Sequence, residues 1–128
     1  MKSLSCLLLL AGFVFACKPT GSLPLHREWH LVELKNKHVP ANVHATLKFE
    51  SAGKRYSGNN SCNAYSGTCQ MDNSTLKFGP AIATKMYCAE VADWEAAFMN
   101  MLPTVDFYVQ RDGQLRLFAG TKIVAIFE

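Results

Sequence analysis

Four short stretches of this sequence alternate apolar and polar residues with a period of two, and that periodicity constrains the fold more than any other feature. In "ATLKFE", Ala45, Leu47 and Phe49 alternate with Thr46, Lys48 and Glu50. "TLKF" places Leu76 and Phe78 on one face, "TVDFYVQ" does the same with Val105, Phe107 and Val109, and "QLRLF" sets Leu115 and Leu117 inward with Arg116 outward. Such segments form strands with one dry and one wet side. The final stretch, "KIVAIF", is apolar on both faces and reads as a central strand. Turn chemistry separates the runs: "SAGK" at 51–54, "MDNS" at 71–74, "RDGQ" at 111–114 and "AGT" at 119–121. Asp-Gly between alternating strands is a strong hairpin signal.

One segment breaks the period. In "AEVADWEAAFMNMLP", Val91, Trp94, Phe98, Met101 and Leu102 recur at helical spacing. Glu90, Asp93 and Glu95 fall in the first half, where the helix dipole favours negative charge, and Pro103 stops the helix. The stripe reads as core rather than as a ligand-lining face. The expected class is α+β: an antiparallel β-sheet or partly open barrel of about eight strands, with one amphipathic helix covering the sheet or plugging the barrel.

The N-terminus sets a compartment. Lys2 precedes an apolar run from Leu4 to Ala16, broken only by Ser5 and Gly12. Thirteen helical residues span roughly 20 Å, short of a bilayer core of about 30 Å. A basic start and a short apolar region are expected to be a secretory signal over 1–16. "VFAC" fits a bacterial lipobox, which makes Cys17 the lipidated new N-terminus; cleavage after Ala16 without lipidation is the alternative. Residues 17–26 follow as a tether rich in Pro, Gly and Ser, and 27–128 as one domain. Lys18 rather than Asp after the cysteine favours sorting to the outer membrane of a Gram-negative envelope.

Outside Lys2 the chain has twelve basic and ten acidic residues, scattered and without interleaved aromatics, so nucleic acid is not an expected partner. If Cys17 carries lipid and Cys6 leaves with the signal, Cys62, Cys69 and Cys88 remain, and an exported chain is expected to hold one disulfide and one thiol. With Cys17 free, four cysteines allow three full pairings. No metal or cofactor is expected: the Cys62–Cys69 spacing is not a zinc or redox motif, and His26 and His30 are four apart on an extended segment. His38 and His44 complete the histidines, all early in the chain. Asn59 and Asn73 begin Asn-x-Ser/Thr sequons, relevant only in a glycosylating pathway.

Several stretches together resemble the META domain, the HslJ-like heat-shock family. "WHLVEL", with Trp29 and Leu31, resembles its opening strand, and "ATLKFE" its second. "SGNNSCNAYSGTC", Ser57–Cys69, resembles its glycine, Cys-Asn, aromatic-Ser/Thr-Gly signature, here Gly58, Cys62, Asn63, Tyr65 and Gly67. "LKFGPAIATKMYC" resembles the strand ending in Thr, a basic residue, Met and Cys, here Thr84, Lys85, Met86 and Cys88. Ser61 stands where glycine usually precedes the cysteine, and Cys69 where an aromatic is common.

The resemblance implies a small envelope or secreted domain, often a lipoprotein, linked to stress and antibiotic tolerance and without an established catalytic activity. It also implies a Cys62–Cys88 disulfide, since both cysteines belong to matched signatures; Cys69–Cys88 is the rival. The leading functional expectation is a non-catalytic module, lipid-anchored in the cell envelope, that binds or stabilises an unidentified envelope protein. The alternatives are a carrier holding a lipid or other apolar ligand in a barrel-like interior, and a thiol-dependent enzyme using Cys62 or Cys69. Ser57–Cys69 itself is expected to be structural. Gly58 and Gly67 would supply unusual backbone angles, and Asn59, Asn60 and Asn63 would bond nearby backbone. Tyr65 would pack inward with its hydroxyl at the edge.

Overall fold

The structure, a computed structural model, describes residues 26–128. The expectations for 1–25 therefore lie outside the described residues. Among the described residues, nine strands form one antiparallel sheet: β1 (Glu28–Leu34), β2 (Lys37–His38), β3 (Thr46–Glu50), β4 (Arg55–Asn59), β5 (Ala64–Asp72), β6 (Thr75–Ala83), β7 (Phe107–Arg111), β8 (Gln114–Ala119) and β9 (Lys122–Phe127). β1 pairs with both β3 and β9, so eight strands close into a ring and β2 extends one edge of β1. The joint between β6 and β7 is the thinnest. It has one paired position, Thr75 with Phe107, and backbone bonds from Leu76 N to Asp106 O and from Tyr108 N to Ser74 O. Lys77 Nζ on β6 bonds the Asp106 carboxylate just before β7, and Gly120 N donates to the same carboxylate at 2.7 Å. Those bonds hold the Asp106 carboxyl below the usual carboxylate range, the one from Lys77 contributing most.

The chain from β6 to β7 carries α1 (Ala92–Met101), with a 3-10 turn at each end. Val91, Phe98, Met101 and Leu102 are buried, and Trp94 is half-buried. The helical stripe is thus core, and Pro103 lies in the 3-10 turn that ends it. Phe98 meets Tyr65 and Phe127 edge-on at 5.6 and 6.4 Å, which closes the barrel interior with side chains. Tyr56 extends the aromatic chain to Tyr65 at 6.0 Å and Phe78 at 4.8 Å. Trp29 is fully buried beneath the Arg27 guanidinium, 4.2 Å from the ring centroid.

Ala45, Leu47, Phe49, Leu76, Phe78, Leu115 and Leu117 point inward as their alternation predicts. β9 lies between β8 and β1, with Ala125 and Phe127 buried. β7 differs. Val105 is buried but precedes the strand, so the alternation does not run through it; within β7 the inward residue is Tyr108. Its hydroxyl donates to Asn73 O at 2.6 Å, while Phe107 stacks on Phe118 at 4.5 Å on the other face. A phenol with an available carbonyl can go inside, and apolar character alone does not reveal that choice.

The glycines of the β4–β5 hairpin also differ from expectation. Left-handed glycines occur at Gly53, Gly113 and Gly120, not at Gly58 or Gly67. Those two are needed for space. Gly58 pairs directly with Tyr65, and Gly67 with Tyr56. Each tyrosine lies across its glycine and reaches the strand beyond: Tyr65 donates to Thr46 O on β3 at 2.5 Å, and Tyr56 to Gly79 O on β6 at 2.6 Å. The Tyr65 hydroxyl is therefore buried rather than at the edge. A Cβ at Gly67 would sit 2.6–2.7 Å from the Tyr56 ring and hydroxyl; one at Gly58 would sit 2.1 Å from Thr46 O. Gly67→Ala is expected to destabilise the domain by about 2–3 kcal/mol through overpacking. In a Tyr56→Ala background the same change should cost less than about 1 kcal/mol, a coupling that a urea double-mutant cycle measures.

Candidate functional site

The Ser57–Cys69 segment, the strap 84–88 after β6 and the start of α1 meet at one place, and Asn63 is its centre. The side chain of Asn63 is 1% exposed. Its Oδ1 accepts from Met86 N at 2.7 Å and from Thr84 Oγ1 at 2.9 Å. Its Nδ2 donates to Met86 O at 3.0 Å and to Glu95 Oε1 at 2.8 Å. All four positions that a carboxamide offers are filled, and the two Met86 peptide groups fix which end is oxygen. The bonds reach 23 and 32 residues along the chain, not to nearby backbone.

Asn60 prepares that position. It is equally buried; its Oδ1 accepts from Asn63 N at 2.7 Å and Cys62 N at 3.2 Å, and its Nδ2 reaches Glu95 Oε1 at 3.2 Å. Asn59 Oδ1 accepts from Ser61 N at 2.8 Å. These are the local side-chain bonds that asparagine makes in tight turns. Ser61 has φ 86°, a left-handed angle that glycine adopts without cost and that explains the glycine usual there. Its hydroxyl accepts from His44 N at 2.9 Å. Next to it, Cys62 is bridged to Cys88, and Val43, Val91 and Trp94 pack around the bridge.

The structure thus brings together Cys62, Asn63, Thr84, Met86 and Cys88 from the predicted set, with Tyr65 two residues further along β5 opposite Gly58, and Gly67 beyond it opposite Tyr56. Met86 contributes its peptide groups, and its side chain is exposed. Trp29 lies apart, in the core. Glu95 and Asn60 are the partners that sequence reasoning missed. Glu95 read as a helix-dipole charge, and nothing in its spacing from Asn63 signals a bond.

Cys69 faces elsewhere. It is buried, and its thiol donates to Gly53 O at 3.1 Å. Burial pushes the thiol up to about 11, so it is protonated at neutral pH and a poor nucleophile. Burial likewise raises the Tyr56 and Tyr65 phenols, with smaller contributions from neighbouring charges. A thiol raised from 9.0 to about 11 contributes full stability below pH 9 and loses it as pH climbs toward 11, because the unfolded chain ionises first. Urea midpoints are expected to fall across that window, with a shallower fall in Cys69→Ala. An equal fall in both proteins would put the alkaline sensitivity elsewhere. The four histidines are exposed, and among the described residues no cluster of three or more His, Cys, Asp or Glu side chains is arranged to hold a metal.

The META domain family matches residues 22–128. The chain belongs to that family. Solved structures agree on the fold. A solution structure of a protein from Burkholderia xenovorans is 25% identical, covers 81% of this chain and 82% of its own, and superposes with a TM-score of 0.64. A crystal structure of a DUF4847-family protein from Bacteroides vulgatus is 17% identical, covers 82% and 93%, and gives 0.61; it speaks to fold alone. No curated protein matches the sequence. In this META domain, the Cys-Asn signature and the Thr-Lys-Met-x-Cys signature are the two halves of one clamp.

Proposed function

We propose that this META domain is a non-catalytic module, lipid-anchored in the cell envelope through Cys17, that binds or stabilises a partner there. The observation that carries the reading is the Cys62–Cys88 disulfide in a chain that begins with an export-like segment and "VFAC". Disulfides persist in oxidising compartments, and one bridge with one buried thiol accounts for the three cysteines of the domain without calling on Cys17. The signature side chains support the non-catalytic part of the reading. Asn63 has every bonding position occupied, Cys62 is bridged, and Cys69 is held protonated. The carrier reading is less favoured because Tyr56, Tyr65, Phe78, Phe98 and Phe127 fill the barrel interior. A role in stress or antibiotic tolerance follows from the family resemblance.

Each buried methylene of an acyl chain adds about 0.8 kcal/mol of membrane affinity, so two or more chains hold a domain stably. Mass spectrometry of the mature N-terminus should find cleavage before Cys17 and an acylated sulfur. Cys17→Ser should move the protein to the soluble fraction. An unmodified Cys17 in the mature protein would contradict the anchor.

A further inference from the structure

Three large apolar side chains close together in the chain stand in water: Ile82 is 81% exposed, Met86 63% and Tyr87 83%. Ile82 lies near the end of β6, and the other two lie on the strap just beyond it. The strap is held firmly, since Asn63 bonds both peptide groups of Met86 and the disulfide pins Cys88. A fold that fixes the backbone and leaves such side chains outside is presenting them, and exposed apolar groups of this kind mark interaction surfaces. Lys85 is exposed among them.

The sheet register relates this patch to the place where the chain enters the domain. Glu28 pairs with Lys48, Lys48 with Ser57, Ser57 with Ser66, and Ser66 with Ile82. The row crosses five strands, roughly 19 Å at the usual strand spacing. Its two ends, Glu28 and Ile82, line one open groove of about 680 Å3 on the outer face. Glu28 is the first residue of β1, eleven residues after Cys17. Eleven residues reach at most roughly 38 Å, about twice the length of the row, so the tether can span it. A domain anchored at Cys17 therefore stays within that reach of the bilayer, and the chain enters at the groove whose far rim carries Ile82.

We propose that Ile82, Met86 and Tyr87, with Lys85 among them, form a lipid-contacting surface that lays the domain on the membrane holding its anchor. The proposal rests on the anchored reading above. The chemistry fits an interface: Ile82 and Met86 enter the acyl boundary, Tyr87 sits at headgroup level, and Lys85 meets anionic phosphates.

The test uses the full chain with Tyr87→Trp, purified with its N-terminus intact and reconstituted in phosphatidylethanolamine–phosphatidylglycerol vesicles with brominated acyl chains. Emission beyond that of the wild type, which reports the new indole, should be quenched by about twofold or more. An N-terminal mass on the same sample separates the two ideas. Acylated protein with an unquenched indole overturns the lipid surface and leaves the anchor standing. If Cys17 is unacylated, vesicle binding of the mature Cys17→Ser chain, free of residues 1–16, decides the surface. Ile82→Ser with Met86→Ser should then weaken binding about tenfold, equivalent to 1.4 kcal/mol, and unchanged binding overturns the proposal. A photocrosslinker at position 87 that captures a protein in cells, with no lipid quenching, also overturns it.

Discussion

Asn63→Ala is expected to destabilise the domain by about 4 kcal/mol, roughly 20 °C in melting temperature for a domain of this size. The substitution removes one small side chain and four long-range bonds. Met86 loses partners for both peptide groups, the Thr84 hydroxyl loses its acceptor, and Glu95 loses the nearer of its two donors. An unsatisfied buried group costs about 1–3 kcal/mol, and more when the missing bond is to a charge. Asn63→Asp separates geometry from chemistry. It keeps the size and the acceptor for Met86 N, but it sets a carboxylate against Glu95 Oε1 and Met86 O. It should be no better than alanine at neutral pH. Differential scanning calorimetry checks both. If both variants melt like the wild type yet fail to complement a deletion strain, this loop is a recognition site rather than a clamp.

Loss of the Cys62–Cys88 bridge should cost about 3.5 kcal/mol on the chain-entropy model for a separation of 26 residues. Cys62→Ser with Cys88→Ser should lower the unfolding free energy measured in urea by that amount while keeping the fold, since Asn63 still bonds the strap. The two effects should not be independent. Each fastens the same strap to the β4–β5 turn, so adding Asn63→Ala to the disulfide-free protein should cost less than it does alone. Additive losses would show that bridge and amide restrain separate elements. Peptide mapping without reductant checks the pairing, and a bridge through Cys69 would reverse it.

The strands were legible because alternation at Ala45–Leu47–Phe49, Leu76–Phe78 and Leu115–Leu117 reports burial directly. The helix was legible for the same reason at a different period. β7 was misread where a polar aromatic, Tyr108, outcompeted Phe107 and Val109 for the interior by finding a carbonyl. The glycines were noticed for the wrong cause. A sequence shows that a residue lacks a side chain, but only the register shows Tyr56 and Tyr65 lying across the vacated positions. The clamp was half legible. Cys62, Asn63, Thr84 and Met86 stood out through family resemblance, whereas Glu95 needed the fold to carry α1 back over the turn. Long-range hydrogen bonds leave no periodic trace in a sequence, so that half could not be read.

The central claim is that Asn63 holds the strap by its backbone, and the amide of Met86 tests it most directly. The Met86 side chain lies in solvent on a segment without regular secondary structure, where an unrestrained amide exchanges with water quickly. Its N–H donates to Asn63 Oδ1 at 2.7 Å, so hydrogen–deuterium exchange followed by NMR should find it protected, with the neighbouring exposed strap amides faster. Asn63→Ala should bring the Met86 amide to the rate of a free loop while the β5–β6 amides stay protected, by less than in the wild type. A Met86 amide that exchanges at the rate of a free loop in the wild-type protein would contradict the clamp.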